Sequence, residues 1–447
     1  MGDALERLLT FRHAEDCYAA PPTDLATLQL EAMNERLRER LDSIPLVKYR
    51  AENARIQAVR DFRDVVPLLL PHTAYKSYPE SLLVKEKWDR LTQWLRSVSA
   101  YPLDDLDLAA VKDVDDWIAR LDAAGHPVSC SSGTTGKAAM LIASRADTER
   151  AAEDSVRACA WATRTRPARD RRVFALAPVA AVPRNFAIMR GLREGFGKPD
   201  VPLFTYPVPP ITIGAITRMV ALRKSVVDGT ALPAQIAAYE KTTEERTRAV
   251  EGALTITADA LVQARGEKLY LIGLWGDLYK VAAAVRERGF GAKDFHSENM
   301  VYVGGGLKRA QLPANYREYV CETFNISPER NFQFYGMQEL NSIAPRCPRG
   351  GYHIPPWVVC LPLDKGGETL LPMTGEVEGR AAFFDLSLDG RWGGVISGDR
   401  IEVDFGGCAC GARTPAIRDA IVRYADLEGD DKINCSGTVD AYVRGMA

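Results

Sequence analysis

The chain has 447 residues, 57 Lys+Arg against 59 Asp+Glu, a formal net charge of −2 and a hydrophobic fraction of 46%. That length predicts about two to four domains and ample apolar material for a packed core. Near-neutral charge excludes a protein whose main task is to coat nucleic acid or an acidic membrane. No apolar run reaches the roughly 18 residues of a spanning helix. The first twenty residues carry acids and lack an apolar secretory core. The expectation is a soluble, cytoplasmic protein with neither nucleic acid nor membrane as partner. Nine cysteines are too few for a disulfide scaffold at this length, and several are clustered. In a reducing compartment such clusters read as metal or catalysis.

Residues 1 to about 125 read as mostly helical, with apolar positions at helical spacing from Leu25 to Met33. Pro67, Pro71 and Pro79 divide this region into short helices and turns. Trp88, Leu91, Trp94 and Leu95 suit one buried helix face. From about residue 127 the texture changes. A polar glycine loop, Ser131-Ser132-Gly133-Thr134-Thr135-Gly136-Lys137, precedes a helical stretch at 145–164. Strand-like runs then start at Arg172, Leu269, Asn299 and Asn331, with helical segments between them. Apolar strands alternating with helices predict an α/β architecture with a mostly parallel sheet flanked by helices. After about 357 the segments are shorter and glycine-rich, as a small antiparallel β region would be. Residues 425–438 read as a linker or tail.

Three short motifs carry chemistry. A phosphate-binding loop needs glycines that let backbone N–H groups face an anion, hydroxyls as extra donors and a lysine for charge. Residues 131–137 supply all three, with a spacing unlike that of a Walker loop. Tyr335-Gly336-Met337-Gln338-Glu339 ends a strand, where a carboxylate can hold Mg²⁺ and an aromatic ring can stack on adenine. Ser397-Gly398-Asp399 offers an aspartate to ribose hydroxyls.

In this order and at these separations the motifs resemble those of the adenylate-forming superfamily: acyl-CoA ligases, luciferase-like enzymes and peptide-synthetase adenylation domains. Ala138 stands where that family usually has Pro, and Gln338 where it usually has Thr. Residues 304–339 are similar to the acyl-protein synthetase of bacterial bioluminescence, and the downstream layout also resembles phenylacetate–CoA ligases. The resemblance covers about residues 125–440. It implies a large adenylating domain at 121–425, preceded by a helical segment at 1–120 packed on it. A hinge-like tail at 426–447 would stand in place of the usual C-terminal lid domain and its lysine.

The resemblance also implies an ATP-dependent reaction in which a carboxylate becomes an acyl adenylate and is handed to a thiol or amine; Phe186 and Trp275 favour an aromatic acid. Ser132, Thr134, Thr135 and Lys137 would contact phosphates. Gly305, Gly306 and Tyr335 would wall the adenine, Asp399 and Arg423 would bind ribose or phosphate, and Glu339 would hold magnesium. Phe186, Trp275 and Gly304 would line the acid pocket. Cys435 matches the location of the acyl-accepting cysteine of the bioluminescence synthetases; the alternative is an ordinary tail cysteine. A carrier protein is the other expected acceptor. An aryl-CoA ligase and a non-catalytic nucleotide-binding scaffold are the competing readings.

A separate constellation is independent of that resemblance. Cys347 with His353, and Cys408 with Cys410, form two soft-ligand pairs in turn-rich surroundings within 345–411. Brought together they would make a structural Cys₃His zinc site. Reduced structural thiols and an ordinary histidine are the alternative.

Overall fold

The computed structural model describes residues 2–130, 137–178, 181–305, 307, 311–428, 431 and 433. These divide into two compact units. The first draws on 1–131, 138–154 and 336–447, the second on 132–137 and 155–335. In chain order the strands are β1 (Leu70–Pro71), β2 (Val128–Cys130), β3 (Met140–Ile142), β4 (Arg172–Ala175), β5 (Leu269–Gly273), β6 (Met300–Val303), β7 (Asn331–Tyr335), β8 (Ala344–Pro345), β9 (Tyr352–His353), β10 (Val358–Leu363), β11 (Glu376–Asp385), β12 (Gly394–Asp404), β13 (Ala416–Ile417) and β14 (Val422–Arg423).

In the first unit the opening stretch is helical, as its periodicity predicts. Helices Asp3–Phe11, Leu25–Leu41, Pro45–Ala54, Trp88–Arg96 and Val114–Ala123 carry it. Trp88, Leu91, Trp94 and Leu95 are all buried. Arginines fasten these helices to the β region by donating to carbonyls and carboxylates. Arg36 reaches the Leu386 carbonyl at 3.1 Å, and Arg40 the Asp389 carbonyl at 2.9 Å.

Strands β10, β11 and β12 form an antiparallel sheet, with β13 and β14 also paired to β12 and β9 beyond β13. Strand β1 joins β12 in parallel, Pro71 facing Ile396. The sheet has one decisive irregularity. Ala382 pairs with Ile396 while Arg380 pairs with Arg400, so Ser397, Gly398 and Asp399 stand opposite Ala381 alone. Extra residues of this kind bend a strand and re-aim its side chains. Here they are the Ser-Gly-Asp motif.

The second unit is built on β4, β5, β6 and β7, parallel and adjacent in chain order. Its strands read as near-continuous apolar runs because both faces are covered. Helices Pro183–Phe196, Pro233–Gln263, Trp275–Glu287 and Tyr316–Thr323 alternate with the strands. Phe174, Leu271, Leu278, Val301 and Phe324, all fully buried, centre its core. Residues 425–428, at the start of the stretch that reads as a linker or tail, belong to a short helix, Tyr424–Glu428.

Candidate functional site

The irregular segment of β12 organises the charged groups of the first unit. Asp399 pairs in register with Arg423 on β14, and Arg423 Nε lies 3.7 Å from Asp399 Oδ1. The Ser397 hydroxyl accepts a hydrogen bond from the Asp399 amide at 3.0 Å, which fixes the turn. Breaking the ladder frees backbone groups, and Arg380 satisfies one by donating to the Ser397 carbonyl at 3.0 Å. The same buried guanidinium grips Asp431 through Nη2 and Nη1 at 2.6 and 3.1 Å. Tyr424 stacks on it, 4.2 Å from ring centroid to Arg380 Cζ.

Because β1 runs parallel to β12 and ends opposite Ile396, the 3₁₀ turn His72–Lys76 runs beside Ser397–Asp399. His72 Cε1 lies 3.3 Å from where a Cβ on Gly398 would stand. Burial, with the Lys76 ammonium adding to it, holds His72 down at about 4. Lys76 interacts electrostatically with both Glu339 and Arg423.

Glu339 sits in the turn after β7, closed by the Leu340 amide donating to the Met337 carbonyl at 3.2 Å. Arg391 pins this turn by donating to the Gln338 and Glu339 carbonyls, each at 3.1 Å, and to Ile142 at 2.8 Å. Burial pushes the Glu339 carboxyl above its ordinary value; Lys76 and Arg391 oppose the rise and Asp399 adds to it. Gln338 Oε1 is a buried acceptor without a hydrogen-bond partner. A divalent cation suits these surroundings, since it would relieve both the desolvated carboxylate and its repulsion from Asp399.

The structure thus gathers Glu339, Asp399 and Arg423, all named from sequence. Sequence reasoning missed Lys76, His72, Arg380 and Arg391, which no motif marks. Asp431 lies within the hinge-like tail at 426–447, yet its burial against Arg380 has no local signal.

In the second unit Tyr335 ends β7 and is half-buried, and Lys137 is half-buried. Gly304 follows β6, and a Cβ there would meet nothing within 4 Å. Gly305 has φ +91°. Phe186 is 49% exposed on helix Pro183–Phe196, an open apolar surface. Trp275 is fully buried in the core and packs edge-on against Tyr316, centroids 5.4 Å apart. Ser132, Thr134, Thr135, Gly306 and Cys435 lie outside the described residues.

The cysteine–histidine constellation comes together in the first unit. Two knuckles form it. In one, the Cys347 amide donates to the Gly351 carbonyl at 2.9 Å; in the other, the Cys408 amide donates to Ala412 at 3.0 Å. Each turns through a left-handed glycine, Gly350 and Gly411, where a side chain would strain the backbone. The donor atoms of Cys347, His353, Cys408 and Cys410 all lie within 4.8 Å of one another. Tetrahedral zinc, with Zn–S about 2.3 Å and Zn–N about 2.0 Å, sets S···S near about 3.8 Å and S···N near about 3.5 Å. The Cys347–Cys408 sulfurs are 3.8 Å apart, and Cys410 Sγ is 3.4 Å from His353 Nε2. Thr414 holds the other ring nitrogen, its carbonyl and hydroxyl each 3.3 Å from Nδ1, as outer partners of a ligating histidine do. Burial, with the adjoining thiols adding to it, pushes Cys410 up to about 12, a cost that a bound cation would relieve.

No family model matches the chain, and no curated protein matches it in sequence. Solved structures do. The chain is similar to 2-hydroxyisobutyryl-CoA ligase in an open conformation with 2-HIB-AMP and CoA: TM-score 0.56, 12% identity, 93% of this chain and 79% of that chain covered. The same ligase in its thioesterification state gives a TM-score of 0.55 at 14% identity, covering 91% of this chain and 70% of that one. The chain has the adenylate-forming fold. In the first unit Asp399 and Arg423 are an ion pair, and Glu339 interacts electrostatically with Asp399, Lys76 and Arg391. No described helix is long and apolar enough to cross a membrane.

Proposed function

We propose that the protein activates a carboxylic acid with ATP, releases pyrophosphate, and passes the acyl group of the adenylate to a thiol or amine. A carboxylate is a poor electrophile; its mixed anhydride with AMP is a good one. The protein's work is then positioning and charge neutralisation. Glu339 would hold Mg²⁺, whose charge screens the phosphate oxygens when bound. Asp399 accepts from ribose hydroxyls, and Arg423 fixes its carboxylate or reaches phosphate. Lys137 with Ser132, Thr134 and Thr135 cradles phosphates, and Gly305, Gly306 and Tyr335 flank the adenine. Phe186, Trp275 and Gly304 belong to the acid pocket in this reading, which favours an aromatic acid.

The observation that carries the proposal is the β12 irregularity, which directs Asp399 to Arg423 within electrostatic reach of Glu339. Cys347, His353, Cys408 and Cys410 would hold a structural zinc, since four protein ligands leave no position for substrate. The acceptor is Cys435 of the chain itself, a carrier protein, an amine or CoA. The similar ligase was solved with CoA, which supports the last of these. A pyrophosphate-exchange screen over aryl, hydroxy, fatty and amino acids tests the activation step. Exchange with one acid class supports it; MgATP binding without exchange for every class favours a nucleotide-binding scaffold. Hydroxylamine-labile acyl label on the C-terminal peptide, lost in Cys435→Ala, would identify self-acylation. Acyl adenylate accumulating on an unlabelled chain would reject it.

A further inference from the structure

Arg391 belongs to none of the sequence motifs, yet it is a buried arginine, 3% exposed, committed to backbone. It stands just before β12, and its place is fixed by its neighbours. Ser99 pairs with it in an isolated antiparallel bridge, and the Trp392 indole donates to the Leu68 carbonyl at 2.9 Å. Nη1 of Arg391 donates to the Ile142 carbonyl on β3 at 2.8 Å, which steadies the guanidinium. Nη2 donates to the Gln338 carbonyl and to the Glu339 carbonyl, each at 3.1 Å.

Those two carbonyls lie in the peptide planes on either side of the Glu339 Cα. A residue has only two soft backbone dihedrals, and holding both flanking planes fixes both of them. The direction in which the Glu339 side chain leaves the backbone is then set. The following amides are held as well: Asp385 Oδ2 accepts from Asn341 and from Ser342, both at 2.8 Å. Residues 336–343 lie between β7 and β8, outside the strands, so side chains supply the restraint that a ladder gives elsewhere. A planar fork with donors in fixed directions can span three carbonyls, whereas the point charge of a lysine on a flexible stem cannot.

We infer that Arg391 is a positioning residue for acid activation: by fixing the backbone on both sides of Glu339, it aims that carboxylate at the metal site. The inference rests on the acid-activating reading given above. Magnesium tolerates little error in its ligands, which it takes at about 2.0–2.1 Å. A turn free to shift by about 1 Å would forfeit up to about 100-fold in rate. Arg391 touches neither nucleotide nor acid in this account and acts through Glu339.

The test is a double-mutant cycle on the full chain, with Arg391→Lys, Arg391→Gln, Glu339→Gln and the double variant Arg391→Lys/Glu339→Gln. Each is measured for pyrophosphate exchange at saturating acid and ATP over a range of Mg²⁺, for Mn²⁺·ATP binding by electron paramagnetic resonance, and for thermal midpoint. In folded Arg391→Lys, kcat should fall by at least about tenfold, the Mg²⁺ needed for half-maximal rate should rise, and Mn²⁺·ATP should bind more weakly. Arg391→Gln should lose more. In the Glu339→Gln background the lysine substitution should change kcat by less than about twofold, because nothing is left to position. Where the double variant exchanges too slowly to measure, Mn²⁺·ATP affinity closes the same cycle. An equal fold-loss in both backgrounds overturns the inference, and so does near wild-type kcat and Mg²⁺ dependence in folded Arg391→Lys and Arg391→Gln. Rate lost only in step with folded protein makes Arg391 structural and overturns it too. Each of these results leaves acid activation standing. Wild-type protein that exchanges with no acid removes the activating reading, and the role of Arg391 with it.

Discussion

Arg423 stands directly across the β12–β14 ladder from Asp399, its Nε 3.7 Å from the carboxylate Oδ1. Both residues were assigned to the nucleotide sugar or phosphate, and the ladder holds them as one unit. Arg423 is 60% exposed, so the pair contributes little to stability. Its worth would lie in aiming Asp399. Asp399→Ala should weaken AMP binding by at least about tenfold, the loss of charge-assisted hydrogen bonds, and Arg423→Ala by less. Thermal midpoints should barely move. Calorimetric titration with AMP checks this, and unchanged affinity in Asp399→Ala would remove the residue from the site.

The pH dependence of stability should carry the signature of His72. Burial, reinforced by Lys76, depresses its folded-state value to about 4, below the ordinary 6.5; Asp431 and the Ile396 carbonyl oppose this, and Arg380 adds to it. The unfolded chain therefore binds the proton more readily. The contribution of His72 is fully present above about pH 6.5 and is lost as pH falls toward 4. His72→Gln, which cannot titrate, should flatten the fall in unfolding free energy between pH 7 and 5. Parallel wild-type and variant curves in chemical denaturation would contradict the assignment.

Arg380 and Asp431 form a buried bidentate pair, their side chains 1% and 11% exposed. Removing one partner strands the other charge in a poorly solvated place and typically costs about 3–5 kcal/mol. Asp431→Ala should show a loss of that order in denaturant unfolding. It should also free the Arg380 guanidinium from the segment that follows helix Tyr424–Glu428. A change below about 1 kcal/mol, the scale of an exposed pair, would mean that solvent reaches the pair.

Metal analysis tests the cysteine–histidine cluster. One equivalent of zinc is expected in protein purified without chelator. Cys408→Ser should release it and lower the thermal midpoint without altering the folded protein's affinity for AMP. Metal-free wild-type protein of full stability would leave the cluster as reduced thiols around a histidine.

The sequence announces some of this architecture clearly and is silent on the rest. Leu269–Gly273 and Met300–Val303 read as parallel strands because both faces are buried, which leaves unbroken apolar runs. The knuckles at Cys347 and Cys408 were legible because ligand pairs are local and need turn residues beside them. Ser397-Gly398-Asp399 was visible as a motif, but not the reason for it: the extra residues exist only relative to Ala381 on the neighbouring strand. Lys76 and Arg391 were invisible for the same reason. The turn that carries Lys76 is set by the pairing of β1 with the distant β12, and Arg391 reaches the Glu339 carbonyl across 52 residues; ordinary charged residues in ordinary turns give no warning. Trp275, assigned to the acid pocket, is buried at the start of a helix that covers the sheet, a placement no local motif announces.

The most direct measurement is pyrophosphate exchange by wild-type protein and Glu339→Gln across the acid panel, with folding of the variant verified by its thermal midpoint. Acid activation through a metal held by Glu339 predicts Mg²⁺-dependent exchange with one class of carboxylic acid and a loss of about 100-fold or more in the variant. Exchange at near wild-type rate in folded Glu339→Gln would contradict the account of the site, and no exchange by wild-type protein with any acid would contradict the activity itself.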